Sequence, residues 1–150
     1  MTDANAGQAL MYYNELLQLF FERSNALQAL WTLYVVIVGG VLAFSSLRKQ
    51  PAAITTAIVS LLFLLFAYKN LDGLHDFTAQ RFALLQTIKD FAAENSPPEF
   101  KKTRDLIEPT LTPATYSSIR LTHLTSDILT IAGLWAMEMR RRRLREGPSA

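Results

Sequence analysis

The sequence predicts an all-α integral membrane protein with three transmembrane helices. The first two form a long hairpin that extends beyond the membrane as an antiparallel coiled coil, and a short extracytoplasmic helix follows. Three observations predict this. Two uncharged apolar runs, residues 26–47 and 51–68, lie nearly back to back. As helices they would span roughly 33 and 27 Å, close to the hydrocarbon thickness of a bilayer. Only Arg48, Lys49 and Gln50 separate them, too few residues for anything but a tight turn. Positive charge is concentrated at Arg48-Lys49 and at Arg140 to Arg143 with Arg145. Counting Glu146, these two segments carry +6 and leave −4 for the remainder of a chain whose net charge is +2.

Half of the 150 residues are hydrophobic, yet 19% are charged, which suits a single membrane domain with substantial helix outside the lipid. There is no cysteine, which excludes disulfides, thiolate metal sites and a cysteine nucleophile. No basic segment precedes the first apolar run, so a cleaved signal peptide is not expected and the first span should persist.

The elements follow in order. Leu10, Tyr13, Leu17, Phe20 and Leu27 recur at three-four spacing, and Trp31 and Tyr34 continue the pattern. This predicts one helix from about Gly7 to Leu47: an amphipathic arm over residues 7–25, then a span over 26–47. Pro51 fits the first position of the next helix. Its span covers residues 51–70, and a stripe of Leu71, Leu74, Thr78, Phe82, Leu85, Ile88 and Ala92 carries the helix onward. Asp72, Asp76, Arg81, Lys89, Asp90 and Glu94 make that continuation too polar for lipid. Residues 71–112 are therefore the second arm, packing on the first as the coiled coil. Asn95 ends the helix, and Ser96-Pro97-Pro98-Glu99 reads as the cap and start of a short helix ending near Glu108-Pro109. Thr112-Pro113 opens the last helix, whose span is residues 120–139, with a tail over 140–150. Lys and Arg flank membrane helices on the cytoplasmic side. The Arg48-Lys49 turn and the C-terminal arginines are thus expected in the cytoplasm, with the N-terminus outside a cytoplasmic or inner membrane.

Arg120, His123 and Asp127 are the sharpest local signal, because spacings of three and seven put them on one helix face. Asp127 lies roughly 10 Å below the outer edge by helical rise. An ionisable group there costs about 2.5–3.5 kcal/mol and faces protein or water. One reading is a polar lining: an ion path, a proton relay or a ligand counter-charge. The other is a structural cluster in which Asp127 is held by His123, Arg120 or a snorkelling Lys69. His75 and His123 are staggered by about 10 Å along the membrane normal. Convergence on one metal or haem is therefore not expected, and no metal or cofactor is assigned.

Gly39 and Ala43, Ala53 and Ala57, and Ala132 and Ala136 are i, i+4 pairs of small residues that let helices approach closely, within the chain or between subunits. Arg140, Arg141, Arg142, Arg143 and Arg145 anchor the topology and are candidate contacts for anionic lipids. The tail is too small for nucleic acid. No Gly-rich phosphate loop, nucleophile elbow or paired base and nucleophile is present, so no catalytic residue is assigned and an enzyme is not expected. The expected function is a non-enzymatic assembly module in the lipid bilayer, as a homo-oligomer or an accessory subunit with membrane-complex partners. The alternative is an oligomeric channel lined by the polar face of the third span. A metal- or haem-binding redox protein is a weaker one.

Overall fold

The structure is a computed structural model and describes residues 2–95 and 98–147. The chain is all-helical, 92% helix, with no strand among the described residues. Helix α1 runs Thr2–Leu47, α2 Ala53–Asn95, α3 Pro98–Ile107 and α4 Tyr116–Glu146, with a 3-10 turn at Glu108–Leu111. Two helices, α1 and α2, contain segments long and apolar enough to cross a membrane, Gly7–Leu47 and Ala53–Phe91, and they pack against each other. Residues 48–52 join them, and α2 starts immediately after Pro51-Ala52.

Some element boundaries differ from expectation: α1 starts at Thr2 and not near Gly7, and α2 starts at Ala53, two residues after Pro51. The expected cap at Ser96-Pro97 lies outside the described residues, as do residues 148–150 of the expected frayed tail. The last helix starts at Tyr116 and not at Thr112-Pro113. Thr112 is extended, with ψ 114°, because the ring of a following proline disfavours helical backbone in the residue before it. This leaves Thr115, an N-cap residue type, directly ahead of the first helical residue. At the other end Gly147 takes φ +66°, the left-handed conformation that stops a helix and that only glycine adopts freely.

The chain divides into two compact units, and the division falls inside both α1 and α2. The first unit comprises Met1–Gln28 and Leu74–Tyr116. Its core is Leu16 and Phe20 of α1, Leu85 and Ile88 of α2, and Leu111 from the 3-10 turn. Leu16 takes a place in this core, while Leu10 is exposed and Tyr13 and Leu17 are half-buried, so the inward stripe of α1 is rotated relative to the expected one. On α2, Leu74, Thr78, Leu85 and Ile88 face in as expected. Phe82 does not: Arg81 is the half-buried residue there, its guanidinium carbon 5.1 Å from the Phe20 ring centroid. An arginine can do this because its stem is apolar and its head is attracted to an aromatic face. Burial also lowers the Arg81 pKa from its ordinary value. Tyr13 is shifted the other way: burial, and then the Glu108 carboxylate, raise its pKa, and Arg104 partly opposes them. Ile88 is fully buried, so Ile88→Ala is expected to cost about 2–5 kcal/mol. Thermal unfolding followed by circular dichroism reads this out, and an unchanged midpoint would contradict the packing described.

The second unit comprises Ala29–Gly73 and Ser117–Ala150. Its apolar centre is small: Tyr34, Phe63 and Ala67, with Trp31, Ile37, Val38, Phe66 and Ile131 against it. Ile119 and Leu134 of α4 are buried as well, and the other buried residues of the unit are polar. Ser45, Thr56, Ser60, Asn70, His123, Asp127, Thr130 and Glu138 are all buried. Val35, Val36, Leu47, Ile54, Leu61, Leu65, Leu121, Ile128 and Leu129 are all exposed. This distribution is inverted with respect to a water-soluble bundle, where large apolar groups fill the core and buried polar groups are the exception. Gly73 permits one close approach, since a Cβ there would stand 3.0 Å from Leu30 Cδ1. The other small residues do not act this way. Nothing lies within 4 Å of a Cβ placed on Gly39, and Ala43, Ala57, Ala132 and Ala136 are exposed, with Ala53 half-buried. Gly39, Ala43, Ala57, Ala132 and Ala136 thus face outward, while Ala53 is partly covered.

Candidate functional site

Two polar clusters lie inside the second unit. The first is built on α4. His123 and Asp127 are one helical turn apart, so their side chains meet: His123 Nδ1 is 2.9 Å from Asp127 Oδ2. Tyr34 of α1 donates its hydroxyl to Asp127 Oδ1 at 2.8 Å. Asn70 of α2 brings Nδ2 to 3.2 Å from His123 Nε2. A carboxylate only accepts, so Nδ1 carries the ring proton. In the neutral imidazole Nε2 is then an acceptor, and the Asn70 amide donates to it. The four groups form one chain of donors and acceptors, at the end of which the buried Asn70 Oδ1 has no hydrogen-bond partner. His123 is 0% exposed, and its ring lies 4.2 Å from that of Tyr34, with Trp31 beyond.

The geometry separates the residues that the spacing had grouped. His123 and Asp127 come together. Arg120 is exposed, and Lys69 is exposed and lies 3.6 Å from Asp72 instead. His123 and Asp127 of α4 are turned to Tyr34 and Asn70 of the same chain, while Leu121, Leu124, Ile128 and Leu129 are exposed, with Arg120, Thr122 and Thr125 beside them. Both ring nitrogens of His123 are engaged inside the chain. His75 contacts Asp76 and the Tyr116 ring. Among the described residues no group of three or more His, Asp or Glu side chains is placed to hold a metal ion.

The second cluster surrounds Glu138, which is 0% exposed. Its Oε2 lies 3.7 Å from Arg48 Nη2 and 3.3 Å from Arg141 Nη2, and accepts from Thr56 Oγ1 at 3.3 Å. Its Oε1 accepts from Arg142 Nε at 3.3 Å. Arg48 also donates to the Ala52 carbonyl at 3.1 Å and to Thr56 at 3.2 Å, so it closes the turn between α1 and α2. Arg141 donates to the Ser45 carbonyl at 2.7 Å. Three guanidinium groups and one carboxylate tie the turn and the C-terminal ends of α1 and α4 together. The arginine run therefore splits. The Arg141 side chain is only 9% exposed and points into the chain, while Arg140, Arg143 and Arg145 are exposed. Arg141 is thus held within the chain, its Nη atoms engaged by Ser45 and Glu138.

Tyr34, Asn70 and Glu138 escaped the reading by spacing. For Asn70 a signal existed: Thr56, Ser60, Phe63, Ala67 and Asn70 share one face in alternating steps of four and three, so the polar residues of α2 were already aligned. For Glu138 the signal was the arginines three and four residues on. Tyr34 stands in the apolar stripe of the first helix and reads as part of it. Comparison with protein-family models, with curated proteins and with solved structures finds no match for this chain.

Proposed function

We propose that the chain is a non-enzymatic integral membrane protein that acts as an assembly module, as a homo-oligomer or as an accessory subunit of a membrane complex. In this reading the bilayer is crossed by three spans, residues 26–47, 51–70 and 120–139. The first two form a hairpin, the N-terminus lies outside and the C-terminus lies in the cytoplasm. What supports the third span is the inverted surface of α4. His123 and Asp127 are satisfied within the chain, as a segment in hydrocarbon requires, and the large side chains it turns outward from Ile128 to Met139 are apolar. The arms, over residues 7–25 and 71–112, then stand outside the lipid. Their facing positions, Tyr13, Leu16, Phe20, Arg23 and Leu27 against Leu74, Thr78, Arg81, Leu85 and Ile88, alternate by three and four in the manner of a coiled coil.

One observation carries the association. Met11, Tyr12, Phe21, Phe82 and Leu106 are large apolar side chains left exposed in segments whose charges keep them out of lipid. A water-facing surface of that kind marks a protein contact. Light scattering on the full chain in mild detergent is expected to give an oligomer or a co-purifying complex, and a clean monomer would overturn the reading. Tyr12→Ser with Phe21→Ser should dissociate the assembly while leaving helicity unchanged, because neither side chain is buried in the chain. Orientation has its own test: a C-terminal reporter active outside the cytoplasm would reverse it.

A further inference from the structure

We infer that the turn between α1 and α2 and the end of α4 form a binding site for a phosphate group, presented as a phosphoester. The site is a pocket of about 340 Å³ lined by Lys49, Gln50, Pro51, Arg141, Leu144 and Arg145. Three of the six lining residues are cations and none is an anion. By the share of liquid volume a water takes, the pocket holds on the order of ten waters, room enough for a phosphoester headgroup.

The charge around the pocket is unbalanced. Glu138 is already shared by Arg48, Arg141 and Arg142, so one negative charge answers three positive ones. Lys49 and Arg145 have no ion-pair partner among the described residues. The buried Arg141 Nε has no hydrogen-bond partner either. Excess positive charge in a partly enclosed site calls for a counter-anion. Guanidinium and ammonium groups together suit phosphate oxygens, the first through directed pairs of N–H bonds and the second as a point charge. Helix α2 begins at Ala53, beside Pro51 of the pocket wall, and has no acidic residue in its first turn, so its positive dipole end adds to the same field. The neighbouring pocket, of about 510 Å³, lacks this character because Glu138 and Glu146 line it. The site stands on its own geometry and does not depend on the assembly reading.

The phosphate can come from an anionic phospholipid or from a soluble phosphoester. Native mass spectrometry of the full chain in detergent distinguishes them, with phosphatidylglycerol, phosphatidylcholine and glycerol 3-phosphate as three separate probes. Lys49→Gln with Arg145→Gln is expected to weaken binding of the preferred probe by about tenfold or more, at roughly a factor of five per basic residue. Arg140→Gln with Arg143→Gln removes the same charge from outside the pocket and should weaken it by less than about threefold. Phosphatidylglycerol bound well above phosphatidylcholine and glycerol 3-phosphate identifies the lipid source. Glycerol 3-phosphate bound as tightly identifies the soluble one, and either result supports the site. Equal losses in the two double variants would overturn it, as would binding of phosphatidylcholine no weaker than phosphatidylglycerol together with no binding of glycerol 3-phosphate.

Discussion

Glu138→Ala is expected to destabilise the chain by about 3–5 kcal/mol. The carboxylate is fully buried and is the common acceptor for Arg48, Arg141, Arg142 and Thr56. Removing it leaves Arg48 and Arg141, both nearly buried, with no counter-charge. The loss of one partner of a buried ionic group costs more than the group as a whole contributes, because the remaining charges stay desolvated. Arg142→Gln is the internal control. Its side chain is half exposed, so its pair with Glu138 is screened and its removal should cost under about 1 kcal/mol. Replacing Glu138 and Arg141 together with leucine is expected to recover part of the loss, since it removes a charge of each sign. Thermal unfolding of the full chain in detergent, followed by tryptophan fluorescence, checks the order. Equal midpoints for Glu138→Ala and Arg142→Gln would contradict the cluster as described.

The second large effect is expected at Asp127. Its two oxygens are the acceptors for the Tyr34 hydroxyl and for His123 Nδ1, and Asp127→Ala leaves both donors buried and unpaired. At about 1–3 kcal/mol for each of the two stranded groups, the cost is about 2–6 kcal/mol. Asp127→Asn retains one acceptor but turns its amide hydrogens toward the other donor, so it should fall between Asp127→Ala and wild type. Tyr34→Phe removes one donor and leaves Asp127 with His123, at about 1 kcal/mol. The ranking of the three variants by unfolding midpoint is the measurement, and a ranking with Tyr34→Phe lowest would show that the hydroxyl matters for a reason other than this bond. The same variants separate assembly from transport. In liposomes Asp127→Asn is expected to leave ion flux at the lipid background, because His123 and Asp127 face Tyr34 and Asn70 of their own chain. A flux that the substitution changes would restore the channel reading.

Much of the helix pattern could be read from the sequence, because it depends on local signals. Apolar runs without charge, Pro51 just ahead of a helix, Asn95 at a helix end and the three-four periodicity all act over a few residues. The pairing of His123 with Asp127 was equally local, since one helical turn brings those side chains together. What could not be read was which way each helix is rotated. Leu16 and Leu17 are both leucine, and Arg81 adjoins Phe82. Only the packing of α1 on α2 decides that Leu16 is the more deeply buried and that Arg81 lies over Phe20. The site suffered for the same reason. Tyr34 and Asn70 reach His123 and Asp127 from more than fifty residues away in sequence, and no periodicity within one helix encodes a partner on another. Arg141 shows the limit most plainly. Five arginines within six residues read as one basic tail, yet one of them points inward and bonds the Ser45 carbonyl.

The polar interior of the second unit also bears on how the chain is made. α4 alone would expose His123, Asp127 and Glu138, and its composition is less favourable for crossing lipid than that of α1 or α2. Translation runs from the N-terminus, so Tyr34, Thr56 and Asn70 leave the ribosome before any of these three. When α4 emerges, the acceptors and donors that satisfy its buried face are already waiting on a partly built scaffold. The order of the helices along the chain thus provides the partners of the α4 polar groups before α4 itself is made.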